Sequence, residues 1–239
     1  MVKIMQNKVD LHTHSLFSRH AYSSLTENIE KAYDVGLEYY GFSDHQHDRF
    51  NFGADRHNFI NLGVIPKSYK GMKIFKGVEL NVGEYLKDYI DFYTKNCDYG
   101  IGSIHAYDHG YDHTTEENTK FYLEAINYPL IKILGHIDDG HHPCDYYEVI
   151  KACKENKVLV ELNNASFKND FRLNGPENQK KMIEICKELH CPVVIDSDSH
   201  IKYDIGNITL AYEHAKDCGL SDDLIANINT SIIDDYFNF

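Results

Sequence analysis

The chain has 239 residues, 42% hydrophobic and 26% charged, a balance that excludes a disordered polymer and suits one large domain or two small ones. Asp and Glu total 37 against 24 Lys and Arg, a formal net charge of -13 that argues against an electrostatic binder of long nucleic acid. It carries 15 His, as many as its 15 Gly, although Gly is normally among the commonest residues.

Residues 1–7 hold no signal-peptide core, and no apolar stretch approaches the roughly 20 residues of a membrane helix, so a cytoplasmic protein is expected. The first predicted strand covers 8–14 and ends in Asp10-Leu11-His12-Thr13-His14. Residues i and i+2 of a strand share a side, so both imidazoles face one point. Arg19 and His20 lie in the next loop, and Ser24-x-x-Glu27 reads as a capping box. The helix it opens has Leu25, Ile29, Ala32 and Tyr33 on one face and closes at Gly36. A second strand, 39–45, ends in Ser43-Asp44-His45. Residues 46–73 form the longest irregular stretch, a length usually kept for function. The third strand, 73–82, carries Glu79, and the fourth, 99–105, ends at His105. Thr114-x-x-Glu117 opens a helix to Asn127. The fifth strand, 131–137, contains His136, and Asp145 with Glu148 starts a helix to Lys157. A sixth strand follows at 158–163, then a helix with Pro176 in its first turn that runs to His190. The seventh strand, 192–197, leads into Asp196-Ser197-Asp198-Ser199-His200, a second i, i+2 pair.

These strands are near-continuous apolar runs, as buried parallel strands are. Strand–helix alternation repeated about seven times predicts an α/β protein with a parallel sheet, either open and doubly wound or closed into a barrel. No G-x-G-x-x-G or Walker A motif supports a nucleotide-binding open sheet. With no linker, repeat or low-complexity segment, residues 1–239 are expected to form a single domain. The cysteines (97, 144, 153, 186, 191 and 218) make no C-x-x-C pair and read as reduced core thiols.

One His at a strand end is more often a hydrogen-bonded structural residue than a ligand. Here His12, His14, His20, His45, Glu79, His105, His136, Asp198 and His200 all fall at or beside predicted strand C-termini, the face on which parallel barrels build active sites. The other eight histidines, among them His109, His113, His141, His142, His190 and His214, are expected on the surface. A catalytic zinc takes about three protein ligands plus water, so the set implies two to three divalent ions, with Glu79 bridging two of them. Imidazole and carboxylate suit Zn, Mn or Fe. Clustered ions of this kind acidify water and stabilise a phosphoryl displacement, chemistry that needs no activated Ser or Cys. No G-x-S-x-G motif is present. The four arginines, Arg19, Arg49, Arg56 and Arg172, are expected in loops on the metal side, with Arg19 and Arg172 the preferred substrate-binding clamps for phosphate.

At these residues the sequence resembles the PHP (polymerase and histidinol phosphatase) superfamily, most closely its small stand-alone phosphatases. The matching stretches are DLHTH at 10–14, HAYSSLTENI at 20–29, SDH at 43–45, GVELN at 77–81, ELNNASF at 161–167 and DSDSH at 196–200, with a weaker echo at Asn229-Thr230-Ser231. The resemblance implies a distorted (β/α)7 TIM-like barrel and a three-metal site. Carried over residue by residue, it implies His12, His14, Glu79 and Asp198 around one ion. It implies His20, His45 and His200 around a second, and Glu79, His105 and His136 around a third. Two departures bear on substrate choice: Gln46-His47 where the family commonly has Gly, and His136-Ile137-Asp138-Asp139 where it commonly has His-Pro. The expected activity is a metal-dependent phosphoesterase, foremost a phosphomonoesterase that hydrolyses a small phosphorylated metabolite by attack of metal-bound hydroxide. Within the superfamily the alternatives are a histidinol-phosphate phosphatase or a phosphodiesterase. Outside it stand an amidohydrolase-type hydrolase, which wants a bridging Lys on the fourth strand that this chain lacks, and a non-catalytic metal-binding module. Two to three ions would add roughly +4 to +6 at the site, so the net charge of -13 disfavours only large polyanions.

Overall fold

The computed structural model describes residues 7–47, 53–105, 113–168 and 171–237; Arg49 and His109 lie outside them. The strands are β1 (Val9–Asp10), β2 (Tyr39–Phe42), β3 (Ser68–Tyr69), β4 (Met72–Asn81), β5 (Tyr99–Ser103), β6 (Ile131–Leu134), β7 (Leu159–Asn163) and β8 (Val193–Asp196). All but β3 lie side by side in the order β1-β2-β4-β5-β6-β7-β8, every pair parallel. β3 pairs antiparallel with the start of β4. Both faces of the parallel strands are largely buried, which accounts for their near-continuous apolar character, whereas β3 is exposed or half-buried.

The helices are α1 (Leu25–Asp34), α2 (Arg56–Ile60), α3 (Leu86–Asn96), α4 (Thr115–Ile126), α5 (Tyr146–Asn156), α6 (Gly175–Leu189), α7 (Thr209–Asp217) and α8 (Ser231–Phe237). The predicted capping box forms at Ser24 with Glu27, and the helix start read at Thr114 is a second one, with Glu117. Asp145 caps α5 through the Glu148 N–H. The stretch 46–73 is less irregular than its composition suggests, because it holds α2, a 3-10 turn at Leu62–Val64 and β3.

β1 and β8 meet without a backbone ladder, and two buried carboxylates close the seam. Asp196 accepts the Leu11 N–H at 2.6 Å, while Asp10 accepts the Ser197 N–H at 3.1 Å and its hydroxyl at 2.7 Å. One parallel bridge, Thr13 to Ser199, lies beyond them. The sheet thus comes close to a complete barrel. Inside it, Leu11, Phe75, Tyr99, Ile101, Ile133, Leu159 and Val194 form one apolar cluster with Ile233, Tyr236 and Phe237 of α8. Tyr99 crosses this interior and donates its hydroxyl to the Leu11 carbonyl. Gly41 and Gly77 make room, since a Cβ at either would come within 2.4 Å of the Tyr99 side chain. The cysteines are free, four buried and two half-buried, as expected of core thiols.

Candidate metal centre

Most donors sit just past the point where their strand's ladder stops, Glu79 within β4 being the exception. β1 ends at Asp10, so His12 and His14 sit on the irregular segment beyond it rather than on the predicted longer strand, with ring centres 5.2 Å apart. His45 follows β2 and bridges in parallel to Glu79 of β4. His105, His136 and Asp198 each lie two residues past β5, β6 and β8. His136 and Asp198 take left-handed backbone, with φ of 31° and 50°. Such non-glycine positions cost of order 1–3 kcal/mol and persist where the surroundings over-determine them.

The nine candidates converge. Glu79, almost wholly buried in β4, is the hub. Its Oε1 lies 2.9 Å from His136 Nε2 and 3.2 Å from His105 Nε2. Its Oε2 lies 3.0 Å from His45 Nδ1 and 3.4 Å from the Nε2 atoms of both His12 and His14. Asp198 Oδ1 faces the same pair at 3.6 and 3.3 Å. His14 stacks between His45 and His200, and His20 Nε2 stands 2.9 Å from His200 Nε2.

A further set of residues, absent from the sequence reading, fixes which ring nitrogen faces inward. His12 Nδ1 donates to Glu161 Oε1 at 2.6 Å, and Glu161 Oε2 accepts the His136 backbone N–H at 2.6 Å. His105 Nδ1 pairs with Asn81 Oδ1 at 2.7 Å. His14 Nδ1 pairs with the Ser18 hydroxyl at 3.0 Å, which itself donates to Asp44 at 2.6 Å. The signal for Glu161 lay in its strand: a carboxylate at an inward position of apolar β7 requires a buried partner.

Burial and neighbouring charge divide the histidines. Burial, with His45 and His200 close by, brings His20 down to about 4. His105 also falls to about 4 because burial outweighs the attraction of Glu79. Burial beside His200 and His45 lowers His14 well below the usual value. His12 goes the other way: burial opposes its charge, but Glu161, Asp198 and Glu79 together hold it well above the usual value. Burial opposes the charge of Glu79 and Asp198, yet the surrounding histidines, joined at Asp198 by Arg172, hold both carboxyls well below the carboxylate range.

His12 Nε2 and His14 Nε2 are buried with no hydrogen bond, each facing Glu79 and Asp198 oxygens. Two bare imidazole nitrogens opposite two carboxylates suit a divalent cation. Three overlapping sets, His14/His45/His200, His12/His14/Asp198 and His45/Glu79/His105, offer donor atoms within 4.8 Å of one another. The residues present therefore fit metal ions.

Above the donors lies a cavity of about 750 Å³. Arg172 lines it, with Nη2 2.6 Å from Asp198 Oδ2 and Nη1 2.9 Å from Asn163 Oδ1. The other described arginines are not brought there. Arg19 caps the 3-10 turn Leu16–Ser18 in left-handed backbone (φ 62°) and is exposed, outside the cavity wall. Arg56 stands on α2, not in a loop, with its guanidinium 4.4 Å over the Phe92 ring. His142 corrects the surface expectation in the opposite sense: it is buried and lines the cavity. The two departures from the family pattern act behind the donors. Gln46 accepts the Asn81 N–H and donates its own N–H to the Glu79 carbonyl, tying β2 to β4. Asp138 accepts from Gln179 of α6.

A model of the PHP domain family matches residues 10–165. A probable phosphatase of Clostridium botulinum (strain Okra / Type B1) is 34% identical over 236 residues, spanning 97% of this chain and 95% of that protein. A probable phosphatase of Thermoanaerobacter sp. (strain X514) is 33% identical over 234 residues, with the same coverage. Among solved structures, a histidinol phosphate phosphatase from Lactococcus lactis subsp. lactis Il1403, complexed with zinc, L-histidinol and phosphate, superposes with a TM-score of 0.66. It covers 90% of this chain and 95% of its own, at 20% identity, a likeness of fold.

Proposed function

The chain belongs to the PHP domain family, and on that premise we propose that it is a metal-dependent phosphoesterase, specifically a phosphomonoesterase acting on a small phosphorylated metabolite. The observation that carries this is the convergence of five imidazoles on the buried Glu79 carboxylate, with Asp198, His20 and His200 beside them and two imidazole nitrogens left bare. In this reading His12, His14, Glu79 and Asp198 hold one divalent ion, His20, His45 and His200 a second, and Glu79, His105 and His136 a third, with Zn, Mn or Fe as the metal. Such ions, when bound, supply positive charge for phosphoryl oxygens and lower the pKa of water towards neutrality.

The protein's own groups do the positioning. Arg172, anchored on Asp198 and Asn163, directs its guanidinium along the cavity wall and keeps donors for a phosphoryl oxygen. Glu161, Asn81 and Ser18 hold the rings so that no reorganisation is needed when the substrate arrives. The reading takes residues 1–239 as one domain, supported by a sheet whose strands run from Val9 to Asp196. It also takes the location as cytoplasmic, supported by free cysteines. Among the described residues no helix is long and apolar enough to cross a membrane.

The test is hydrolysis of an aryl phosphate with Mn or Zn supplied, alongside elemental analysis. Glu79→Gln should keep the fold and lose roughly 100-fold or more in kcat/KM. Full activity in that variant, or less than one metal equivalent in the native protein, overturns the reading.

A further inference from the structure

The cavity reaches well beyond the donors. The recess directly over them measures about 390 Å³, against about 750 Å³ for the larger cavity that shares four of its five histidines. The outer part is walled by Ile104 before His105, Ile201 after His200 and Tyr22 near His20, and Phe171, before Arg172, borders both the recess and the outer part. Backbone bonding holds this wall against the centre, since the Tyr22 N–H donates to the His200 carbonyl at 2.8 Å. Phe171 is 81% exposed and Tyr22 77%, so two large rings stand bare where the cavity meets solvent. An aromatic ring so placed has apolar area to gain from a flat partner.

The charged groups on that wall are already engaged, in two ion pairs and, for Asp139, by hydrogen bonds. Lys168 and Asp204 form an ion pair at 3.1 Å. Asp139 Oδ1 accepts from His141 Nδ1 at 2.9 Å, from the His141 backbone N–H at 3.0 Å and from the Leu173 N–H at 3.2 Å. Arg172 is held by Asp198. An anionic leaving group would have to break one of these ion pairs to find a counter-charge, a cationic one would find only Asp139, and a neutral ring would break none.

Resting on the phosphomonoesterase reading, we infer that the substrate's leaving group is an uncharged aromatic alcohol whose ring lies between Phe171 and Tyr22 while its phosphate faces Arg172 and the donor cluster. The wall then selects for a ring on a short linker, while a cationic amine is offered only the Asp139 carboxylate.

The inference is tested with the full chain and three probes, 2-phenylethyl phosphate, ethyl phosphate and 2-aminoethyl phosphate, each with Mn and with Zn. The expected kcat/KM is about tenfold higher for the phenylethyl than for the ethyl ester, the worth of one well-placed ring. The aminoethyl ester should show no advantage over the ethyl ester. Phe171→Ala and Tyr22→Ala should each lower the phenylethyl-to-ethyl ratio towards one. That ratio is taken within each variant, so a loss of total activity does not obscure it. Turnover of all three with equal kcat/KM, or a preference for the aminoethyl ester, overturns this inference alone. No turnover of any of them overturns the phosphoesterase reading and this inference with it.

Discussion

A histidine offers a metal one of two nitrogens, and the partner of the other decides which. His12, His14 and His105 give Nδ1 to Glu161, Ser18 and Asn81, which turns Nε2 towards Glu79. Glu161 does two jobs, because its second oxygen accepts the backbone N–H of His136. In Glu161→Gln one of these two donors must face an amide NH2 in place of an oxygen. Apparent metal affinity should therefore fall about 10- to 100-fold while the fold persists, as read by competition with a chelator of known affinity. An unchanged affinity would leave Glu161 as a packing residue. At this scale the ligand candidates were legible because His and Asp at strand ends are chemically diagnostic. Their outer partners were not, since Glu161, Asn81 and Ser18 are common residue types whose meaning depends on contacts made across the barrel. Side-chain direction was equally hidden. Arg19 and Arg172 look alike in sequence, yet one caps an exposed turn and the other spans from Asn163 to Asp198.

Helix α1 carries the segment that holds His14 and His20, and its first turn is fastened twice. The Ser24 hydroxyl accepts the Glu27 N–H at 3.3 Å, and Glu27 accepts the Ser24 N–H at 2.9 Å. Lys202 reaches the same carboxylate at 3.2 Å, joining α1 to the segment that follows His200. Loss of the cap in Ser24→Ala should cost roughly 0.5–2 kcal/mol in denaturant unfolding. The Ser24 backbone N–H, then its hydroxyl, then Lys202 bring Glu27 from 4.5 down to about 2. A carboxyl lowered in the folded state stabilises above its unfolded pKa and loses that contribution as pH falls to the folded value. The Tm difference between native protein and Glu27→Gln should therefore be steady above pH 4.5 and narrow from there towards pH 2. A gap that stays constant through that window would show that Glu27 acts by shape alone. Elements were the most legible level, because apolar runs and capping boxes are local signals. Strand ends were not: β1 stops at Asp10 although the pattern continues to His14, since the seam with β8 is made by side chains there.

The barrel is finished differently at its two ends. At the strand C-termini it gathers buried titratable groups, two of them on left-handed backbone, around Glu79. At the other end α8 closes the interior, with Phe237 5.5 Å from Tyr99 and 5.9 Å from Phe75, ring centre to ring centre. One end is built for a cation and the other is sealed by apolar packing, so their contributions to stability are separable. An ion that binds only the folded chain at 100 times its Kd adds about 2.7 kcal/mol. For a chain of this size each kcal/mol moves Tm by about 2–4 °C, so Mn or Zn should raise the Tm of chelator-treated protein by roughly 5–10 °C. Ile233→Ala empties part of the apolar plug and should cost about 2–5 kcal/mol. Sites this far apart in the barrel with no shared partners should add. Ile233→Ala is therefore expected to lower Tm by the same amount in the metal-free and the metal-loaded protein, measured by paired thermal melts. If its cost differs between the two states by more than about 0.5 kcal/mol, the plug and the metal face are coupled through the Tyr99 crossing, and the separation of the two ends fails.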